Sequence, residues 1–170
     1  FASILATENN TLVSFSDLKP GISLINNAAA GNNPASIILN TGESYVIAVE
    51  GPNDANKDGL IGGLIKSDKP IVVNCGSFGG TNGSDTLSSD LGFDQIVSAE
   101  RTGKEYIFIR GNGTDVMEKP LIVAHENNTE IFLNNNATPY TTLNAGQYLA
   151  LNGSQFSAQG NLYVKTSKNV

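Results

Sequence analysis

Short apolar runs alternate with polar turn residues along the whole chain, and no useful window has the spacing of an amphipathic helix. Turn signals such as Asn112-Gly113 and Asn152-Gly153 recur about every eight to twelve residues, which is typical of a sandwich, barrel or propeller. The pattern predicts the following strands: Phe1–Thr7, Leu12–Phe15, Ile22–Ile25, Ser36–Asn40, Ser44–Glu50, Leu64–Ser67, Ile71–Asn74, Ile96–Ala99, Tyr106–Arg110, Leu121–His125, Glu130–Leu133, Thr141–Leu143, Tyr148–Leu151 and Leu162–Thr166.

Three of these segments carry more specific expectations. Every residue of Ser44–Val49 except Ser44 is apolar or small, which predicts that the strand Ser44–Glu50 is buried on both faces. Leu64–Ser67 and Ile71–Asn74 are predicted to form a hairpin across the Asp68-Lys69 turn. Gly76–Gly92 lacks apolar periodicity and is rich in Gly, Ser, Thr and Asn, so it is predicted to be a long exposed loop, of functional or mobile character.

An internal repeat organises the chain. Ala6-Thr7-Glu8-Asn9-Asn10-Thr11 returns 118 positions later as Ala124-His125-Glu126-Asn127-Asn128-Thr129. Two further segments match in the same order: Leu39–Glu43 with Leu143–Gln147, and Lys66–Lys69 with Lys165–Lys168. The falling offsets place two insertions in the first copy. Each copy is expected to be one supersecondary unit with the same strand order.

The repeat and the strand pattern together predict an all-β fold of two related antiparallel meanders packed as a β-sandwich. Part of a β-propeller is the alternative, because four short strands per repeat also fit a blade. We expect residues 1–78 to form the first repeat, 79–118 the long loop and connecting strands, and 119–170 a second, truncated repeat, all in one compact unit. The second copy stops where the first continues into Ile71–Asn74. We therefore expect an open sheet edge, or a missing strand supplied by a longer, processed parent protein.

The composition narrows the class of partner. The net charge of −6 disfavours nucleic acid, because phosphate binding needs a basic field, and it suits cations or a partner with a basic patch. No apolar run approaches the length of a membrane helix, so no membrane insertion is expected. The single cysteine excludes an internal disulfide.

One segment has the ligand spacing of a calcium loop. Asp54, Asn56 and Asp58 supply oxygen side chains at positions 1, 3 and 5, Gly59 follows at position 6, and the Leu60 carbonyl is the next expected ligand. Alternate side chains of a tightly turned loop converge on one point, so this spacing predicts a calcium site. Ile65 stands where such loops have a bidentate glutamate, which favours weak binding; without calcium, the segment is an acidic loop.

Other reactive or modifiable residues have simpler interpretations. Cys75 and His125 could form a nucleophile and base, but Cys75 follows an apolar strand and is expected in the core, and Thr7 replaces His125 in the other repeat. Asp85-Thr86-Leu87 resembles a short bacterial O-glycosylation motif, so Thr86 is the predicted glycan site.

Four runs resemble a known family: Lys66–Gly80, Gly92–Val97, Arg101–Ile107 and Pro120–Glu126. They are similar to bacterial members of the IgGFc-binding-protein N-terminal domain family. The resemblance implies a large secreted cell-surface protein of Bacteroidetes-type bacteria, and it brings no catalytic residues with it.

These observations predict a non-enzymatic adhesion or binding module of a secreted, extracellular cell-surface protein, stabilised by calcium, with a protein or glycan ligand. A structural subunit of an extracellular filament or sheath, which self-associates through an open sheet edge, is the alternative. A hydrolase that uses the Gly76–Gly92 loop is the weakest hypothesis.

Overall fold

The computed structural model describes residues 1–25, 36–49, 54–80 and 90–170. Within these ranges the chain forms thirteen β-strands and three short 3-10 turns, with no α-helix. The predicted all-β class is therefore confirmed. The chain divides into two compact units, Phe1–Phe78 with Leu91–Val97 and Gly79–Asp90 with Ser98–Val170. The repeat bounds given above, and the packing of both repeats into one compact unit, stay predictions.

Unit 1 consists of two antiparallel sheets that enclose a core. Its strands are β1 (Ala2–Ala6), β2 (Thr11–Ser16), β3 (Ser36–Leu39), β4 (Ser44–Ile47), β5 (Leu64–Ser67), β6 (Ile71–Gly80) and β7 (Asp90–Gln95). The sheet orders are β4-β1-β6-β7 and β3-β2-β5. Alternate side chains point inward, so Ile4 and Val13 are fully buried and pack with Phe15, Leu39 and Ile47. This packing is sandwich-like.

Unit 2 repeats five of these strands, adds one of its own, and has no counterpart of β6 or β7 among its described residues. Its strands are β8 (Glu105–Ile109), β9 (Leu121–Val123), β10 (Thr129–Leu133), β11 (Thr141–Leu143), β12 (Tyr148–Ala150) and β13 (Asn161–Thr166). The sheet orders are β12-β9 and β11-β10-β13-β8. Ile131, Leu162 and Val164 are fully buried and form the core with Ile122 and Leu133.

The two copies of the repeat have the same strand order and register. The order β3-β2-β5 in unit 1 corresponds to β11-β10-β13 in unit 2, and β4-β1 corresponds to β12-β9. Val13 lies opposite Ser67 on β5, and its counterpart Ile131 lies opposite Thr166 on β13. The units differ at the flanks: β6 pairs with β1 in unit 1, whereas β8 pairs with β13 in unit 2.

Most turns inside each repeat, such as β1–β2, β3–β4 and β5–β6, carry the chain from one sheet to the other, whereas β10 and β11 pair within one sheet. The predicted hairpin of Leu64–Ser67 with Ile71–Asn74 is therefore wrong, because β5 pairs with β2 and β6 pairs with β1. A turn sequence fixes a reversal of direction, but it does not fix whether the next strand pairs with the last one or faces it across the core.

Four other local predictions are corrected by the structure. β6 runs on to Gly80 and β7 begins at Asp90, so the ends of the predicted Gly76–Gly92 loop are strand, and residues 81–89 lie outside the described part. A Cβ on Gly76 would lie 2.0 Å from the Gly92 carbonyl oxygen, so this glycine allows β6 and β7 to approach closely.

The remaining differences concern strand ends and burial. Val46 is 51% exposed, so β4 is buried on one face only. β7 ends at Gln95, and a 3-10 turn over Ala99–Arg101 replaces the predicted strand Ile96–Ala99. In the predicted strand Ile22–Ile25, Leu24 makes a single bridge to Val49.

Candidate functional site

The repeated Glu-Asn-Asn-Thr segment forms an interlocked pair of turns. In unit 1, the side-chain oxygen of Asn9 accepts a hydrogen bond from the backbone N–H of Thr41 (3.1 Å), and the side-chain oxygen of Asn40 accepts one from the N–H of Asn10 (3.1 Å). The turn between β1 and β2 and the turn between β3 and β4 therefore hold each other through reciprocal amide contacts.

The same two hydrogen bonds join the corresponding turns in unit 2. Asn127 accepts from the N–H of Ala145 and Asn144 accepts from the N–H of Asn128, both at 3.1 Å. Asn10 and Asn128 have left-handed φ values of 56° and 57°, which asparagine tolerates better than most residues. The repeated polar motif is therefore explained by folding, and we do not assign it a ligand.

A buried threonine completes each pair of turns. Thr11 and Thr129 are fully buried, and their hydroxyls donate to the carbonyl oxygens of Glu8 (2.7 Å) and Glu126 (2.8 Å). A buried hydroxyl needs such a partner, because leaving a buried polar group unpaired costs about 1–3 kcal/mol.

The outer face of the larger sheet of unit 2 carries an apolar surface on β8, a strand that has no counterpart in the β3-β2-β5 sheet of unit 1. Ile107 and Ile109 on β8 are 70% and 75% exposed. Ile107 lies directly opposite Tyr163 on β13, and Phe132 lies opposite Lys165 on the other side of β13. Because side chains alternate along a strand, these residues share the face that points away from the core. We call Ile107, Ile109, Phe132 and Tyr163 the outer-face patch.

A shallow depression of about 270 Å³ adjoins the outer-face patch. It is lined by the rings of Phe132 and Tyr163, by Lys165, and by the β10–β11 turn residues Asn135, Asn136 and Ala137. Burial and the hydrogen-bonded carboxylate of Glu105 raise the pKa of the Tyr163 hydroxyl above its ordinary value. The surface thus combines apolar area with amide, ammonium and phenol groups.

The sequence contains a signal for this patch, the continuous apolar run of β8, that the strand prediction did not recognise. Tyr106–Ile109 is apolar at every position, yet Tyr106 and Phe108 alone pack against the core. The continuous apolar run therefore marks a strand whose second apolar face is exposed, as it also does for Val46 in β4.

The residues of the predicted calcium loop make protein contacts of their own. Asn56 is buried, and its side-chain oxygen accepts from the backbone N–H of Ser23 at 2.9 Å. An Asp58 oxygen pairs with the Lys19 ammonium, and the Leu60 carbonyl accepts from the N–H of Gly63 at 3.2 Å. Asp54 begins a 3-10 turn, and its side chain lies outside what the structure describes.

These contacts give the loop a structural role without an ion. Asn56 anchors the segment around Ser23, and the Lys19–Asp58 pair connects the segment that follows β2 to the same loop. Within the described residues, no three His, Cys, Asp or Glu side chains are placed to hold a metal ion. A calcium ion here would share Asp58 with Lys19 and the Asn56 side-chain oxygen with the N–H of Ser23. The calcium site stays a prediction.

The remaining sequence candidates belong to different units or lie outside the described residues. Cys75 lies on β6 in unit 1, opposite Ala2, and packs against the core as predicted; His125 belongs to unit 2. Burial raises the pKa of the Cys75 thiol, and the nearby N-terminal ammonium offsets this in part. Activated nucleophilic cysteines have lowered pKa values, so this shift has the opposite sign. Thr86 lies outside the described residues.

The fold and the surface define an all-β module with an exposed apolar patch and duplicated structural turns. A family model described as IgGFc binding protein matches residues 1–170. The chain belongs to this family, which confirms the family part of the resemblance described above. Comparison with curated proteins and with solved structures gave no match.

Family membership also fixes a coarse functional class. The family is one of binding proteins, which are typically extracellular. In the part of the chain that the structure describes, no helix has the length and apolar character needed to cross a membrane.

Proposed function

We propose that this chain is a non-enzymatic adhesion or binding module of a secreted bacterial cell-surface protein, and that a protein ligand docks on the outer-face patch. The observation that carries the proposal is the exposure of Ile107 and Ile109 beside Tyr163. An exposed isoleucine contributes about 1.5–3 kcal/mol when a partner covers it fully, so these residues are suited to be the centre of an interface.

The choice of ligand to test follows from the family description, which names the Fc part of IgG. Binding of an Fc fragment to the immobilised chain is measured by surface plasmon resonance. We expect saturable binding that Ile107→Lys weakens at least about tenfold, because a buried lysine ammonium is strongly disfavoured. Ile38→Lys is the matched control: Ile38 is 66% exposed on the corresponding sheet of unit 1.

Two results would contradict this assignment. Absence of Fc binding by the wild-type chain would remove Fc as the ligand, and equal binding by Ile107→Lys and wild type would remove the patch. A glycan ligand is the related proposal, supported by the depression beside Phe132 and Tyr163. Fc treated with an endoglycosidase separates the two, since loss of binding after treatment indicates contact with the glycan.

A filament or sheath subunit stays the second candidate function, and the observation that favours it is the edge of β9. Among the described residues, β9 pairs only with β12. Analytical ultracentrifugation over a range of concentrations tests it: growing oligomers favour the filament subunit, whereas a monomer at every concentration favours the binding module.

We also propose that Asp54, Asn56, Asp58 and the Leu60 carbonyl bind calcium weakly and stabilise unit 1. The spacing of the oxygen groups supports this, and the Lys19–Asp58 ion pair is the contact that calcium would compete with. A ligand that binds only the folded state raises the melting temperature. We expect a higher Tm with calcium than with chelator, and no such difference in Asp58→Ala. Equal Tm values in the wild type would reject the site.

A further inference from the structure

The depression beside the outer-face patch contains polar groups that the fold itself does not use. The side chain of Asn134 is engaged: its oxygen accepts from the N–H of Tyr163 at 3.3 Å, and its N–H donates to the Gln155 carbonyl at 3.0 Å. Asn135 and Asn136 line the depression, and their side-chain amides make no hydrogen bond to any residue that the structure describes. Each of these two amides therefore offers a donor and an acceptor to a ligand.

A lysine ammonium without a carboxylate partner lies at the same depression. Lys165 is directly opposite Glu105 on β8 and Phe132 on β10. The Glu105 carboxylate is hydrogen-bonded to the Tyr163 hydroxyl instead. In the described part of the chain, no ion pair joins Lys165 to an acidic side chain. In a chain with a net charge of −6, this ammonium is a local site for an anionic group.

The aromatic rings and the size of the depression indicate the rest of the ligand. Phe132 and Tyr163 lie on strands β10 and β13, so the sheet holds both rings in place. The face of an aromatic ring is negative and attracts C–H groups, which a pyranose sugar presents on one side of its ring. The volume of about 270 Å³ is just below the roughly 300–1,000 Å³ of pockets for drug-sized ligands. The depression therefore suits one sugar ring better than an extended peptide, which needs a groove along its length.

The corresponding surface of unit 1 lacks this combination of groups. It keeps the lysine, as Lys66, but has Ser14 and Leu64 in place of the two aromatic residues. Asp17 takes the place of Asn135, with a similar left-handed φ of 58° against 62°. A carboxylate at this position repels an anion. The shared fold therefore does not require the groups of the depression, and unit 1 supplies matched control positions.

We propose that the depression binds a single acidic sugar ring, a uronic acid or sialic acid residue of a glycan. The ring stacks on Phe132 and Tyr163, and its carboxylate pairs with the Lys165 ammonium. Its hydroxyls bond to the amides of Asn135 and Asn136. This inference rests on the proposed binding function and names the ligand class of its glycan form.

The test is an NMR titration of the isotope-labelled full chain with three small probes. The probes are methyl glucuronide, the methyl glycoside of N-acetylneuraminic acid, and the neutral methyl glucoside. An acidic probe should shift the amide signals of residues 132–137 and 163–165 in a saturable way. We expect the glucoside to bind about threefold to tenfold more weakly, because it lacks a charge-assisted hydrogen bond that water partly screens. The acidic probe that binds more tightly shows whether the sugar is a uronic or a sialic acid.

Three variants assign the binding to the named groups. Lys165→Ala should lower the affinity for the acidic probes to that for the glucoside, whereas Lys66→Ala, the matched variant in unit 1, should leave it unchanged. Phe132→Ser introduces the residue that unit 1 has at this position. We expect it to weaken the binding of acidic and neutral probes alike by at least about threefold, because a stacking surface is lost. The amide spectrum of each variant shows that it is folded.

Equal affinities for the acidic and neutral probes, or no saturable shifts at all, would overturn the proposal. Unchanged affinity in Lys165→Ala would do the same. Tighter binding of a blocked aspartyl-phenylalanine dipeptide at the same signals would also overturn it, because protein side chains would then be the ligand. The titration contains no Fc, so a negative Fc experiment rejects Fc and leaves the sugar site. Absence of sugar binding with intact Fc binding rejects the sugar and leaves the protein site.

Discussion

The two repeats agree in their interior and their turns and differ on their surfaces. Phe132, on the outer-face patch, corresponds to Ser14 in unit 1, and Tyr163 corresponds to Leu64. The buried Ile131 and Thr129, in contrast, correspond to the buried Val13 and Thr11. Residues that recur therefore maintain the fold, and the residues that have diverged are those available for a ligand.

The same comparison explains why an asparagine-rich motif is the strongest repeat signal. Each copy needs two turns that cross between sheets, and each turn presents backbone N–H groups that the strands do not pair. Asn9 and Asn40 satisfy them in unit 1, and Asn127 and Asn144 do so in unit 2. A motif with this role is found twice because the fold occurs twice.

The largest effect is expected from matched core truncations. Ile4 and Ile122 are corresponding residues, 0% and 3% exposed. Ile4→Ala and Ile122→Ala should each lower the free energy of unfolding by about 2–5 kcal/mol, because each leaves a cavity in its own core. Urea unfolding followed by circular dichroism measures this. A large loss for one variant and none for the other would break the equivalence of the two cores.

A smaller paired effect is expected at the buried threonines. Thr11→Val and Thr129→Val keep the shape of the side chain and remove the hydroxyl that bonds to the Glu8 or Glu126 carbonyl. Each should cost about 1–3 kcal/mol, because a carbonyl is left without its buried partner. The exposed Thr142 supplies a control, since Thr142→Val should change stability by less than about 0.5 kcal/mol. Equal stability of Thr129→Val and Thr142→Val would contradict the role of the hydroxyl.

The smallest effect concerns β6, the strand that unit 1 has and unit 2 lacks among the described residues. Burial raises the pKa of Cys75, so at pH 8 less thiolate is present in the folded chain than in the unfolded chain. Ellman's reagent should therefore react more slowly with the native protein than with the urea-unfolded protein. The reaction rate of the native protein should also rise at a higher pH than that of the unfolded protein. If the Cys75 thiol of the native protein reacted as fast as that of the unfolded protein, or faster, β6 would not bury this thiol against the core.

Local patterns in the sequence were sufficient for the strands and for much of the core. The alternation in Leu12–Phe15 and Leu162–Thr166 identifies strands because one face of each is buried. The pairing of strands was not predictable in the same way. The turn at Asp68-Lys69 has ordinary hairpin residues, yet it crosses between sheets because β1 supplies the partner of β6 from far away in the chain.

The binding surface was harder to predict from the sequence than the fold. Ile107 and Phe108 are equally apolar in the sequence, and only the pairing of β8 with β13 shows that Ile107 is exposed while Phe108 packs inward. The spacing of Asp54, Asn56 and Asp58 described a possible ligand set, but not the contacts of Asn56 with Ser23 and of Asp58 with Lys19.

The central claim is that the diverged outer face of unit 2 binds the ligand. Hydrogen–deuterium exchange in the presence of the Fc fragment tests this claim most directly. We expect slower exchange in β8 and β13 when Fc is added, and unchanged exchange in β3 and β5, which lie on the corresponding sheet of unit 1. Protection of β3 and β5 with no change in β8 and β13 would contradict the claim.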